Sequence, residues 1–264
     1  MFQMTFRRYC HSAACKRAAH SQSCLKKVDS CANDANTLYM GHRMPGAPSL
    51  IDFKSVEGRA LLISCLSSEN AGNKYLSLSE QFLTQSSPPS CGMATLAMLL
   101  NSLRVDPGRV WQKPWRWFTE EMLTSCYPNT GNTAGITMEH FGHIAECNGA
   151  AVQTFYGEEV TANEFRNALV HAFDSSEEMR IAVAFDRQVL GQTGTGHYSP
   201  IGAYNREADM ILVLDVARFK YPPYWVPVEL MWKAMSTHDP DTLKSRGFFI
   251  LTPPPSIPER KSSS

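Results

Sequence analysis

The run QSSPPSCGMATLAMLLNSL, residues 85–103, decides how this chain is read. After Cys91, the residues Met93, Leu96, Ala97, Leu100 and Leu103 recur at helical spacing, so the run predicts a helix with one apolar face and Cys91 at its amino end. That position has chemical meaning. Unpaired backbone N–H groups and the positive end of the helix dipole stabilise a thiolate, which is the nucleophilic form of cysteine. Pro88 and Pro89 stiffen the approach to Cys91, and Gln85 could return its side-chain amide to join the Cys91 N–H in holding an oxyanion.

Around this run lies an ordinary globular chain. Its 264 residues suffice for one well-buried domain plus tails, and 43% hydrophobic with 19% charged residues is a balance that folds rather than remains disordered. Basic and acidic residues cancel at 25 each, which leaves no net field to attract nucleic acid, and no nucleic-acid motif is present. The longest apolar stretches fall well short of the ~20 residues that span a bilayer, so no membrane span is expected. Eight cysteines are scattered: Cys10, Cys15, Cys24 and Cys31 near the start, then Cys65, Cys91, Cys126 and Cys147 far apart. That pattern reads as no disulfide framework, and without a secretory signal it points to a reducing compartment rather than secretion.

Residues 1–36 are basic, Ser/Ala-rich and acid-poor, with Phe2, Phe6, Tyr9 and Ala13 at helical spacing. They read either as an amphipathic mitochondrial presequence or as a disordered tail, so the expected location is cytoplasmic or mitochondrial. The cysteines there, with His11 and His20, match no standard zinc-finger spacing. A body follows over 37–252, and residues 253–264 form a Pro/Ser-rich tail. Apolar patterns predict helices near 53–66, 74–83, 91–103, 137–147, 161–173 and 227–236, with Thr161 and Glu164 forming a capping box. Strand-like runs lie at 151–155, 180–185, 197–204, 210–217 and 247–252. Helices first and strands second argue for an α+β fold, a helical lobe packed against an antiparallel sheet.

A thiol nucleophile needs a base. His197 follows Gly194 and Gly196 at a strand start, and the next strand-like run contains Asp215. A hairpin folding about residues 206 and 207 sets His197 opposite position 215 or 216, where a carboxylate fixes the imidazole tautomer and stabilises the imidazolium. Each residue alone has a plainer explanation. A cysteine at a helix start is usually packing, a strand histidine is usually structural, and an aspartate at a strand end usually forms a turn. Their joint arrangement favours chemistry. The order Gln85, Cys91, His197, Asp215 is also that of papain-like enzymes.

Three long stretches carry a resemblance: FLTQSSPPSCGMATLAMLLNSLRVDPGRVWQKPWRWFTEEML, QTGTGHYSPIGAYNREADMILVLDVARFKYPPYWVP and IDFKSVEGRALL. Over about 38–252 the chain resembles the catalytic domain of phytochelatin synthases, a family similar to papain in fold. The resemblance implies a glutathione γ-glutamylcysteinyltransferase with Cys91 as nucleophile, His197 as general base, Asp215 as its orienter and Gln85 as oxyanion donor. It further implies attack on the Cys–Gly bond of glutathione, a γ-Glu-Cys thioester, and aminolysis by a second glutathione to give phytochelatins that chelate heavy metals. The alternative is a hydrolase of glutathione or its S-conjugates with the same triad, as in short relatives.

The same resemblance implies no organic cofactor and no fixed metal site. Cd(II), Zn(II) or another heavy metal would act as activator through metal–glutathione thiolates, in keeping with soft-ligand chemistry. Glutathione and its metal complexes are the expected partners, and a homodimer is the candidate assembly. Arg218 and Lys220, alternating on the expected strand face after Asp215, are candidates for substrate carboxylates. WRWF, residues 115–118, reads as core or cleft wall. His143 and Cys147 stand four apart on one predicted helix, where packing is the simpler explanation than a shared metal. Three departures from the family stand out. Cys126 is single where a doubled cysteine is expected, Ser90 replaces an aromatic residue, and the chain stops soon after the catalytic domain, without the cysteine-rich carboxyl-terminal domain of plant members. Reduced metal responsiveness is the expectation from the first and the last of these, while Ser90 bears on the cleft and removes no catalytic group.

Overall fold

The computed structural model describes residues 46–47, 49–126 and 135–254. The basic segment 1–36, with its presequence and zinc readings, and nearly all of the 253–264 tail lie outside the described residues. Local sequence rules set most helix starts. Ser55 caps α1 (Val56–Leu66) by accepting from the Gly58 N–H, and Ser68 caps α2 (Glu69–Ser79) from the Ala71 N–H. α3 (Cys91–Ser102) follows a 3-10 turn at Pro88–Ser90. Thr119 caps the short α4 (Glu120–Leu123), and Thr137 caps α5 (Met138–Cys147). At α6 (Ala162–Asp174) both halves of the expected capping box form, Glu164 N–H to Thr161 Oγ1 at 3.2 Å and Thr161 N–H to Glu164 Oε2 at 2.7 Å. α7 (Val228–Met235) closes the set. The helix expected over 74–83 starts earlier, at Glu69, because Ser68 supplies the cap.

The strands are β1 (Ile51–Asp52), β2 (Ala151–Tyr156), β3 (Arg180–Asp186), β4 (Gly196–Asn205), β5 (Met210–Val213), β6 (Tyr224–Pro227) and β7 (Gly247–Thr252). They form one antiparallel sheet in the order β1-β6-β5-β4-β3-β7-β2. Helices cover both of its faces. α3, α5 and parts of α1 and α2 enclose one core with Ala184, Tyr198, Leu212 and Phe249, while α6 and α7 enclose another with Val183, Ile201, Val213 and Phe248. The fold is thus α+β with an antiparallel sheet, as expected, but helices line the second face as well. Two strands, β1 and β6, lie outside the sequence reading because they are short and because Pro222, Pro223 and Pro227 make PPYWVP look like a loop.

α3 is buried on all sides rather than on one face. Ala94 and Leu96 through Leu100 have no exposure, because the helix lies between the sheet and its helical neighbours. At its start Gly92 is required by proximity: a Cβ there would stand 2.6 Å from the Ile136 side chain. The WRWF stretch divides. Phe118 is buried at 1% exposure, but Trp115 is 67% exposed, so the tryptophans are surface residues rather than core.

The β4–β5 hairpin departs from the simple expectation in an instructive way. Its turn lies between Asn205 and Met210, and the register slips by one residue between Ile201 and Ala203. Past the slip Ile201 pairs with Val213, and the Leu214 N–H bonds the Pro200 carbonyl at 3.1 Å. Without it, position 215 would stand opposite Pro200, on the sheet face away from His197. The bulge brings position 215 opposite Ser199, so that His197 and Asp215 share a face as diagonal neighbours. β5 itself ends at Val213 rather than continuing to 217, and His197 pairs directly with Phe185 of β3.

Gly202 sits in this bulge, where a Cβ would meet the Leu214 side chain at 2.9 Å. Gly202→Val is expected to destabilise the fold by about 1–3 kcal/mol through overpacking, measured by urea unfolding. Unchanged stability would contradict the packing described.

Candidate active site

Three elements converge on Cys91. It starts α3, His197 is the second residue of β4, and Asp215 lies just past the end of β5 at Val213. His197 Nε2 stands 3.0 Å from Asp215 Oδ1, which leaves Nδ1 for the hydrogen bond between the imidazole and the Cys91 thiol. The Gln85 N–H bonds the Val216 carbonyl at 2.9 Å, so the loop that delivers the thiol is tied beside Asp215.

Asp215 has no exposure to solvent, and a buried carboxylate must be fully paired. Oδ1 accepts from Arg187 Nη2 at 2.9 Å and from the Ala217 N–H at 2.9 Å as well as facing His197, while Oδ2 accepts from the Tyr224 hydroxyl at 3.1 Å. Arg187 is itself buried, bonded through Nη1 to Gln192 and stacked on the Tyr221 ring at 4.9 Å. Phe185 presents its ring at 84° to the imidazole, 5.6 Å away.

Protonation follows from these contacts. Burial raises the Asp215 carboxyl, but Arg187 and His197 outweigh it and hold the group far below the ordinary carboxylate range. Burial lowers His197, yet the Asp215 charge prevails and its net shift is upward. Burial raises the Cys91 thiol, and the His197 hydrogen bond and charge, the Tyr198 backbone and Arg187 together bring it below its ordinary value. Among the described residues the other free cysteine is Cys65, where burial outweighs the hydrogen bonds from Asn205 and the backbone and pushes the thiol up to about 11. One thiol is thus disposed to ionise and the other is inert.

Two adjoining cavities open beside this group. One of about 190 Å³ is lined by His197, Glu139 and Lys244, and one of about 140 Å³ by Cys91, Pro89 and Ile136. Gly196, Tyr198, Asp239 and Arg246 form walls of both. Arg246 is buried, its Nη1 held by Thr237 Oγ1 at 2.9 Å and the His238 carbonyl at 2.7 Å.

A family model described as phytochelatin synthase matches residues 42–248. The chain belongs to the phytochelatin synthase family. Within it, the chain is 43% identical over 211 residues to glutathione gamma-glutamylcysteinyltransferase 3 of Lotus japonicus, covering 80% of this chain and 44% of that protein. Identity is 44% over 209 residues to glutathione gamma-glutamylcysteinyltransferase 1 of Arabidopsis thaliana, covering 79% and 43%. The Schizosaccharomyces pombe glutathione gamma-glutamylcysteinyltransferase is 41% identical over 202 residues, covering 76% and 48%. The chain therefore spans less than half the length of these relatives. Among solved structures, a double glycine motif protease from an AMS/PCAT transporter, in complex with the leader peptide, is similar at a TM-score of 0.39 and 13% identity over 65% of this chain and 89% of that one.

For this member of the phytochelatin synthase family, the structure brings Cys91, His197 and Asp215 together and sets Gln85 beside them. The Gln85 amide is turned inward, with Nε2 donating to the Ser87 and Pro88 carbonyls at 2.7 and 2.9 Å. Arg218 and Lys220 lie elsewhere. They occupy a turn rather than a strand face, Arg218 exposed over the Phe82 ring at 4.6 Å and Lys220 donating to the Thr193 carbonyl at 2.5 Å, and neither lines the two cavities. The turn forms because the chain leaves the ladder at Val213, with the Lys220 and Tyr221 N–H groups closing on the Ala217 carbonyl.

Cys126 and Cys147 form a disulfide, a pairing not expected from a cysteine pattern that reads as no disulfide framework. It also takes the Cys147 sulfur away from any metal shared with His143. Among the described residues no group of three or more His, Cys, Asp or Glu side chains is placed to hold a metal. None of those residues belongs to a helix long and apolar enough to cross a membrane.

Sequence reading misses Arg187, Tyr224, Asp239 and Arg246. Arg187 follows the apolar run of β3 as a charge in a turn-like DRQ, and only its burial marks it.

Iodoacetamide alkylation of Cys91 is expected to titrate below the ~8.5 of a free thiol. His197→Ala should move that midpoint upward, and Cys65 should stay unlabelled in the folded protein. Rates are read by mass spectrometry of peptides across pH.

Proposed function

We propose that the chain builds phytochelatins from glutathione as a γ-glutamylcysteine transpeptidase with papain-like chemistry. The observation that carries this reading is the linked set Cys91, His197 and Asp215 at the meeting of two cavities, in a chain of this family. The relatives named as glutathione gamma-glutamylcysteinyltransferases support the substrate.

The Cys91 thiolate attacks the carbonyl carbon of the Cys–Gly bond in glutathione, forming a tetrahedral oxyanion at the start of α3. The Cys91 N–H is the nearest backbone donor for that charge. Gln85 joins by exchanging one of its two loop carbonyls for the oxyanion, which makes it the second donor in this reading. The His197 imidazolium protonates the departing glycine nitrogen, the C–N bond breaks, and a γ-Glu-Cys thioester remains on Cys91. Neutral His197 then takes a proton from the α-amine of a second glutathione as that amine attacks the thioester. The Cys91 sulfur leaves as thiolate, and (γ-Glu-Cys)2-Gly is released. Asp215 keeps the ring oriented and its positive form stable throughout.

Arg246 and Asp239, in the walls of both cavities, match the carboxylate and ammonium of a γ-glutamyl head. The substrate-carboxylate role, first assigned to Arg218 and Lys220, therefore passes to Arg246. Heavy-metal ions enter as part of the substrate, a Cd(II) or Zn(II) bis-thiolate of glutathione, and need no resident site.

Incubation of the protein with glutathione, with and without Cd(II), is expected to give the two-unit polymer by mass. Only γ-Glu-Cys and glycine would mean hydrolysis, and no turnover would reject the reading. Cys91→Ala should abolish the product. The pH profile is expected to be a bell. Its acid limb is protonation of Cys91, displaced below an ordinary thiol; its alkaline limb is deprotonation of His197, displaced above an ordinary imidazole. Arg246→Ala should raise KM for glutathione by about tenfold or more, seen in initial-rate kinetics.

A further inference from the structure

The nucleophile is delivered by a loop that is held mostly from within, including a Ser87 Oγ–Ser90 Oγ contact at 2.6 Å. Gln85 grips the Ser87 and Pro88 carbonyls, and the Ser90 N–H bonds the Ser87 carbonyl at 3.1 Å. Ahead of the two prolines, Ser86 is held by a residue far along the chain. Its N–H donates to Glu120 Oε1 at 2.9 Å, and its hydroxyl donates to Glu120 Oε2. One carboxylate thus takes both donors of one serine, in charge-assisted bonds.

Glu120 is itself braced against the nucleophile's helix. Asn101, in the last turns of α3, donates from Nδ2 to the Phe118 carbonyl at 2.9 Å and accepts from the Phe118 N–H at 3.1 Å. Phe118 is buried, and Thr119 caps the turn that carries Glu120. The links close a ring: Cys91 along α3 to Asn101, across to Phe118, on to Glu120, over to Ser86, and through Pro88 and Pro89 back to Cys91. Proline fixes φ at two successive positions, which removes two of the torsions through which a displacement at Ser86 would be absorbed before the thiol.

We propose that Glu120 is a positioning residue for the nucleophile, its carboxylate clamping Ser86 so that the diproline stalk holds Cys91 against His197. This assigns a role to the Glu120 side chain, which lies outside the core clusters and outside both cavities. The inference rests on Cys91 being the acylated nucleophile, and its test includes a measurement that does not need turnover.

Glu120→Ala, Glu120→Gln and Ser86→Ala are compared with the unaltered chain by glutathione turnover, by Cys91 alkylation against pH, and by thermal unfolding. Glu120→Ala is expected to lower kcat about tenfold with KM within about twofold, a misplacement effect, and to raise the Cys91 alkylation midpoint. Glutamine can accept from the Ser86 N–H and donate to its hydroxyl, so Glu120→Gln should return kcat to within about threefold. Ser86→Ala removes one of the two bonds and should fall between, which keeps the test open if Glu120→Ala unfolds. Wild-type kcat and alkylation in Glu120→Ala would overturn the proposal, as would a glutamine variant as impaired as alanine, since that would mean the charge acts directly. If the unaltered chain does not turn glutathione over, the function fails, and the alkylation profiles alone still decide for or against Glu120.

Discussion

A carboxylate sealed from water organises this molecule. Asp215 has no exposure, and its charge survives only because Arg187, His197, Tyr224 and the Ala217 N–H surround it. These partners come from two strands, β4 and β6, and from the segments that follow β3 and β5, so pairing one side chain ties these four parts together. Removing a member would leave an uncompensated buried charge, a loss that far exceeds that of a surface ion pair. The same field sets the states of His197 and Cys91. Stability and reactivity therefore depend on one cluster.

How much of this was legible in the chain differs by the range of the interaction. Helix starts at Thr137 and Thr161 could be read because a cap and its N–H lie within one turn. Cys91 could be placed at a helix start because the apolar residues after it recur at helical spacing, although no side-chain cap forms at Ser90. The meeting of His197 with Asp215 was anticipated from hairpin spacing, yet the assumed register was wrong, since a turn between Asn205 and Met210 and a bulge near Gly202 together produce the contact. A bulge has no signature stronger than one glycine among several. Arg187 and Tyr224 were invisible because their partner lies 28 and 9 residues away and nothing local requires it. Arg218 and Lys220 were misplaced because apolar residues up to 217 extended a strand that stops at Val213.

Cysteine shows the limits of composition. Four scattered cysteines in the body suggested no disulfide framework, but sequence distance conceals that the end of the turn after α4 and the end of α5 bring Cys126 and Cys147 together. Of the two left free, Cys65 and Cys91 are both buried, so burial alone does not distinguish them. What differs is the company: Cys91 has an imidazole with a carboxylate behind it, and Cys65 donates to the Tyr204 carbonyl at 3.4 Å.

The encasement of α3 has a dynamic consequence. A helix covered on every side has no frayed edge through which to open, so its central amides should exchange with solvent only when the whole domain unfolds. The Cys91 sulfur then sits at the start of an element that loosens late. In the proposed reaction the mobility that lets substrates come and go resides in the cavity walls, and Cys91 contributes a fixed point against which those walls move.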